Sequence, residues 1–231
     1  MRAPGPLLAS GRDADIFEYG PDLVLRRARR GRSMAGEART MEYLRSQGFP
    51  VPAVEEISEN GCDLVMERIE GPTMVEALAR APWSIRRLAR TLAELHRRLH
   101  DVAPAPFLPA APVGRGERIL HLDLHPLNVI IGPWGPVVID WTNACLGDPD
   151  LDVALAWILM AIGEIPGSRA KAKVLGLGRA LIVNGFVSQF DRAALAGVLR
   201  PAVEWKAQDP NMSAREVQAM WDLVERSEAV A

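Results

Sequence analysis

An α+β fold, with a small strand-rich front and a mostly helical back, is what this 231-residue sequence predicts. Three observations lead there. Short apolar runs bounded by turn residues crowd the first 68 residues. An amphipathic helix at 84–100 follows, with Ile85, Leu88, Leu92, Leu95 and Leu99 at three-four spacing and five arginines at other positions. Beyond Gly147 the pattern is helical to the end. The chain divides on this reading into a front lobe, 1–68, and a back lobe, 69–231, with a cleft between them.

In order, IFEYG (16–20) and LVLRRA (23–28), separated by Pro21-Asp22, read as a strand hairpin. Residues 33–47 are loosely helical and stop at Gly48 before Pro50 and Pro52. VPAVEEIS and CDLVMERI read as two more strands. EGPTM (70–74) breaks that pattern. A proline-rich connector, DVAPAPFLPAAPVGRG, leads from the long helix to three short β segments, RILHL, NVIIG and PVVIDW. Ser213 with Glu216 three residues on marks a capping box at the start of the last helix.

Composition bounds the function. With 48% hydrophobic residues and a net charge of −2, the chain can bury a core as one unit or as two small lobes sharing an interface. Cys62 and Cys145 fit no paired spacing, so neither a disulfide framework nor a cysteine zinc site is expected. The apolar stretch LDVALAWILMAIG (151–163) is shorter than the roughly 20 residues of a membrane span. A cytoplasmic protein with no membrane and no nucleic-acid partner is expected. The run RRARRGR (26–32) sits in a chain without net positive charge, which favours a solvated turn over a nucleic-acid patch. Of 27 basic residues only three are lysines, Lys171, Lys173 and Lys206. His96 and His100, one helical turn apart, read as helix packing, and Trp157, Trp205 and Trp221 as core.

The richest chemistry lies in HLDLHPLNVIIGPWGPVVIDW, residues 121–141. His121, Asp123 and Asn128 form H-x-D-x-x-x-x-N, and Asp140 closes the apolar run VVID. Phosphoryl transfer needs a carboxylate near the attacking hydroxyl, ligands for magnesium and cations on the phosphates. This run supplies the first two.

HLDLHPLNVI, followed by VVIDW and GDPDLDVA, resembles the aminoglycoside phosphotransferase and choline kinase family, which has the bilobal protein-kinase-like fold. The resemblance is dense over 119–155. It implies Asp123 as the catalytic base, Asn128 and Asp140 as magnesium ligands, and His121 and Asp152 as supports of the catalytic loop. Asp148 falls on the acceptor side. ATP or GTP with Mg2+ is the implied cofactor, and a small hydroxylated molecule the implied acceptor. The family's phosphate-binding lysine is replaced: the matching strand puts Arg26 there, with Glu37 on the next helix as its ionic partner. ASGRDADIF (9–17), ahead of the strand pair, matches the phosphate-covering loop, with backbone around Gly11 and Asp13 toward the nucleotide. VMERIEG resembles the hinge, so main-chain groups from Glu67 to Ile69 would meet the base. Two further readings stay open, a kinase-like module that binds nucleotide without turnover and a small atypical protein kinase.

Overall fold

A computed structural model describes residues 2–11, 13–162, 169–210 and 212–229. Arg12 of the segment 9–17 and Gly163, at the end of the apolar stretch, lie outside them. The front is a five-stranded antiparallel sheet in the order β1-β2-β3-β5-β4. Its strands are β1 (Leu7–Ser10), β2 (Ala14–Glu18), β3 (Leu23–Ala28), β4 (Val54–Ile57) and β5 (Asp63–Glu67), with helix α1 (Ala35–Ser46) between β3 and β4. The back holds α2 (Met74–Arg80), α3 (Ile85–Asp101), β6 (Arg118–Leu120), β7 (Val129–Gly132), β8 (Gly135–Val138), β9 (Cys145–Gly147), α4 (Pro149–Ile162), α5 (Arg169–Val187), α6 (Arg192–Lys206) and α7 (Ala214–Glu228). This is the α+β, bilobal, protein-kinase-like architecture.

Alternation along β3 and β5 gives the sheet two different faces. Val24, Leu64 and Met66 join the main core, which also takes Met41 and Leu44 from α1 and Leu88, Leu92, Leu95 and Leu99 from α3. Leu25 and Val65 point the other way, onto Tyr19. One apolar cluster therefore runs through both lobes. A second, around Leu155, Leu199, Val203 and Met220, holds α4, α6 and α7 together.

Three features differ from the sequence reading. A strand, β1, precedes the expected hairpin, so most of 9–17 is not a loop ahead of the sheet: Leu7–Ser10 and Ala14–Glu18 pair with one another. All four β1 residues are exposed, which erases the apolar alternation that would reveal a strand. Residues Tyr19 and Gly20 leave the second strand, because Gly20 turns at φ 121°. Lastly, β8 stops at Val138, and the chain runs on into β9, which pairs with β6. Asp140 thus sits two residues past the strand, not at its end.

The β7–β8 hairpin is tied to both lobes. Ile131 N–H donates to Pro72 O at 2.8 Å and Val138 N–H to Pro50 O at 2.9 Å. Gly71 makes the first contact possible: at φ 146°, a Cβ there would lie 2.2 Å from Ile131 O.

Candidate active site

The hairpin's open end sets the distance between Asn128 and Asp140. Asn128 immediately precedes β7 and Asp140 follows β8, and Val129 and Val138 are direct partners in the ladder. Ile139 N–H closes the end by donating to Asn128 O at 3.0 Å. Adjacent strands are spaced about 4.8 Å apart, so both side chains leave the same end of one rigid unit. Asp140 adopts φ 67°, a left-handed conformation uncommon for a residue with a Cβ. Buried Trp141, whose Nε1–H donates to Val138 O at 3.1 Å, anchors this turn from its far side.

Asp123 lies beside that end. Asn128 Nδ2 donates to Asp123 Oδ2 and to Asp123 O, both at 2.9 Å, which leaves the side-chain oxygen Oδ1 of Asn128 to accept. Burial works against the charge of Asp123, but His125, with Nε2 3.5 Å from Oδ1, together with His121 and Lys206, holds its carboxyl below the ordinary range. It is ionised at neutral pH, as a group that accepts a proton must be.

Behind the loop, Asp152 is fully buried in the first turn of α4. Its Oδ1 accepts from His121 N–H at 3.2 Å and from Leu122 N–H at 2.7 Å. Its Oδ2 accepts from His100 Nε2 at 3.0 Å and lies 3.5 Å from His96 Nδ1. Burial alone would raise this carboxyl; His100 and His96 reverse the sign and hold it far below the usual range. The two amides draw Leu122 into φ 61° and so aim Asp123 out of the loop. His121 completes the brace. Its Nδ1 accepts from Asp123 N–H at 3.2 Å, which leaves Nε2–H to donate to Ile139 O at 3.1 Å, and its ring packs against Trp141 at a tilt of 55°, with centroids 4.6 Å apart.

From the front lobe, Arg26 shares the cleft-side face of β3 with Val24 and is buried. Its guanidinium contacts Glu37 Oε1, donates to Asp140 Oδ1 at 2.8 Å and reaches Thr142 Oγ1 at 3.4 Å. Thr142 donates in turn to Glu37 Oε2 at 3.1 Å. Burial disfavours the guanidinium's charge, but Glu37 and Asp140 outweigh it and keep Arg26 firmly cationic. Burial raises the Glu37 carboxyl, with Arg26 opposing. Other arginines of the 26–32 run have intramolecular partners as well: Arg27 grips Asp63 with two nitrogens at 2.7 and 2.6 Å, Arg29 meets Asp15 at 2.7 Å, and Arg32 donates to Thr142 O at 2.9 Å.

The remaining expected residues are placed less favourably. Gly11 N–H donates to Ala14 O, and Asp13 O accepts from Arg29 N–H, both at 2.9 Å. In the hinge, Glu67 N–H goes to Ala53 O and Arg68 N–H to Asp22 O, both at 2.8 Å. The Glu67 side chain accepts from Ala53 N–H at 3.0 Å, which makes it a strut of the β4–β5 edge. Ile69 follows directly. Asp148 Oδ1 accepts from Asp150 N–H at 3.0 Å, a turn at the start of α4. Thr142 was not expected at the site, and His96 and His100, expected only to pack along the helix, meet Asp152. The first had a signal, a hydroxyl two residues after Asp140. The histidines had only their i, i+4 spacing, and the acid they meet lies more than 50 residues away.

Residues 6–112 and 103–197 match the profile of the phosphotransferase enzyme family. Among solved structures, a choline/ethanolamine kinase family protein from Mesorhizobium loti superposes with a TM-score of 0.61 at 16% identity, over 98% of this chain and 88% of the other. The gentamicin complex of APH(2")-IIa gives 0.63 at 15% identity over 93% and 90%. The aminoglycoside phosphotransferase APH(4)-Ia, bound to AMP-PNP and hygromycin B, gives 0.58 at 17% over 98% and 94%. No curated protein matches the chain.

Proposed function

The chain belongs to the phosphotransferase enzyme family, and from that premise we propose that it moves the γ-phosphate of ATP or GTP to a hydroxyl of a small molecule. The observation that carries this reading is the cluster at the hairpin's end, where an ionised, partly buried Asp123 lies against Asn128, with Asp140 on the neighbouring strand's exit. The donor set is all oxygen, a carboxylate and a carbonyl, and that suits magnesium rather than a softer metal. Asn128 and Asp140 would hold the ion, which when bound neutralises charge on the phosphates.

The chain's own groups do the rest. Asp123 accepts the acceptor's hydroxyl proton and orients that oxygen for in-line attack. Asp152 fixes the loop that carries Asp123, and His121 couples the loop to the Asp140 turn, so the base and the ligands are pre-positioned together. Arg26, braced by Glu37, supplies the cation at the phosphate end. Backbone from Glu67 to Ile69 borders the nucleotide's base, and Asp148 lies toward the acceptor. Residues 151–231 carry nine acids and nine bases, so no acidic excess calls for a polycationic acceptor. A compact hydroxylated metabolite or an amino sugar fits this balance. No helix among the described residues is long and apolar enough to cross a membrane.

One observation favours a second reading. Asp140 is already engaged by Arg26, as expected of a module that binds nucleotide without turnover. Calorimetry with ATP and magnesium followed by a screen of hydroxyl compounds separates the two. Phosphate transfer that vanishes in Asp123→Ala supports the enzyme. Binding with no transfer to any acceptor supports the module.

A further inference from the structure

Away from this cleft, the outer face of α3 carries charge without partners. Arg86, Arg87 and Arg90 are exposed and make no hydrogen bond or ion pair among the described residues. On the same helix Glu94 is committed to Arg97 at 3.6 Å. The first turn of α3 contains no acid, so Arg86 and Arg87 stand at the positive end of the helix dipole, and Arg86 and Arg90 repel one another at i, i+4. An ordinary solvated face interleaves its signs; this one concentrates one sign where the helix tolerates it least.

The same arginines line two adjoining concavities. The smaller, about 230 Å3, lies between α3 and the end of α5 and is lined by Arg86, Arg90, Gly185, Ser188 and Gln189. The larger, an open groove of about 820 Å3, shares Arg86, Arg90 and Gln189 and extends past Arg87 to Trp83, a residue 84% exposed. Forked guanidinium donors one turn apart match the spread oxygens of phosphate groups, and a bare indole offers a stacking surface beside them.

We propose that the Arg86–Arg90 groove is a second binding site, separate from the catalytic cleft, for a small organic molecule bearing two or more phosphate groups. The phosphates sit in the smaller concavity, where the bound anion relieves the repulsion between the arginines and complements the helix dipole. The organic part lies along Trp83. The small concavity at one end, about 230 Å3, favours a compact ligand over a continuous strand of nucleic acid, which would need contacts all along the groove.

The test uses inorganic tripolyphosphate, titrated calorimetrically into the full chain with and without saturating magnesium AMP-PNP, against the double variant Arg86→Ala with Arg90→Ala. Alanine on an exposed helix face preserves the fold. The expected result is binding that persists with the cleft filled, falls with rising salt and weakens about tenfold or more in the double variant, while Arg200→Ala on α6 leaves it unchanged. Binding that AMP-PNP displaces, binding equal in the double variant, or no binding at millimolar concentration would overturn the proposal. So would tighter binding of a short oligothymidylate, which would assign the groove to nucleic acid.

Discussion

Arg26 donates to Asp140 at 2.8 Å across the cleft, so a front-lobe cation occupies one oxygen of the carboxylate proposed to hold magnesium. A lysine would offer both carboxylates one nitrogen, whereas the guanidinium reaches Glu37 and Asp140 through two nitrogens held apart in a rigid fork. The ion must therefore compete with Arg26 for Asp140. Arg26→Lys is expected to lower the magnesium concentration at half-saturation several-fold while the nucleotide KM changes less. Thr142→Val should act in the same direction, since it removes the hydroxyl that buttresses this arrangement. Calorimetric magnesium titration in the presence of nucleotide measures both.

Asp123→Ala should reduce transfer by about 10²- to 10⁴-fold, the usual contribution of a positioned general base. Nucleotide affinity should stay within a few-fold of wild type, because Asp123 does not hold the phosphates in this reading. A steady-state assay beside a binding isotherm checks the pair of numbers.

Asp152→Ala removes the acceptor of two buried amides and strands His96 and His100. Loss of one member of a buried charged network costs about 3–5 kcal/mol, a large part of the stability of a domain this size. Urea denaturation should show the lower midpoint. Asp152→Asn keeps the shape and one carbonyl acceptor, and should recover part of that loss.

The same cluster predicts an acid limb in stability. Burial lowers the His96 pKa below its ordinary value, so the unfolded chain binds a proton there more readily than the folded one. That contribution is complete above about pH 6.5, the unfolded value, and declines as pH falls through it. Asp152, also depressed when folded, adds a second decline below about pH 4. Melting temperature against pH should therefore fall in two stages, and His96→Phe should remove the upper one.

Local relationships were legible in the sequence and distant ones were not. His121, Asp123 and Asn128 lie within eight residues, so their types and spacing are visible together, and the helical stripe of α3 repeats often enough to stand out. The hub at Asp152 joins segments more than 50 residues apart, which no local period encodes. β1 was hidden because both of its faces are exposed, and β9 because three residues are too few to show alternation. Arg26 was visible as a departure from a pattern, but its reach to Asp140 depends on how the sheet sits over the hairpin.

That hairpin ends, at its other tip, in Pro133 and Trp134, both open to solvent, with Trp134 99% exposed. The tip is one strand length from Asn128 and Asp140, while the strands behind it are fastened to Pro50 and Pro72. A peptide tag or dye grafted there would ride on the same rigid ladder as Asn128 and Asp140 yet stay out of their reach. The exposed tip thus offers an attachment point that leaves the ladder and its two anchoring hydrogen bonds intact.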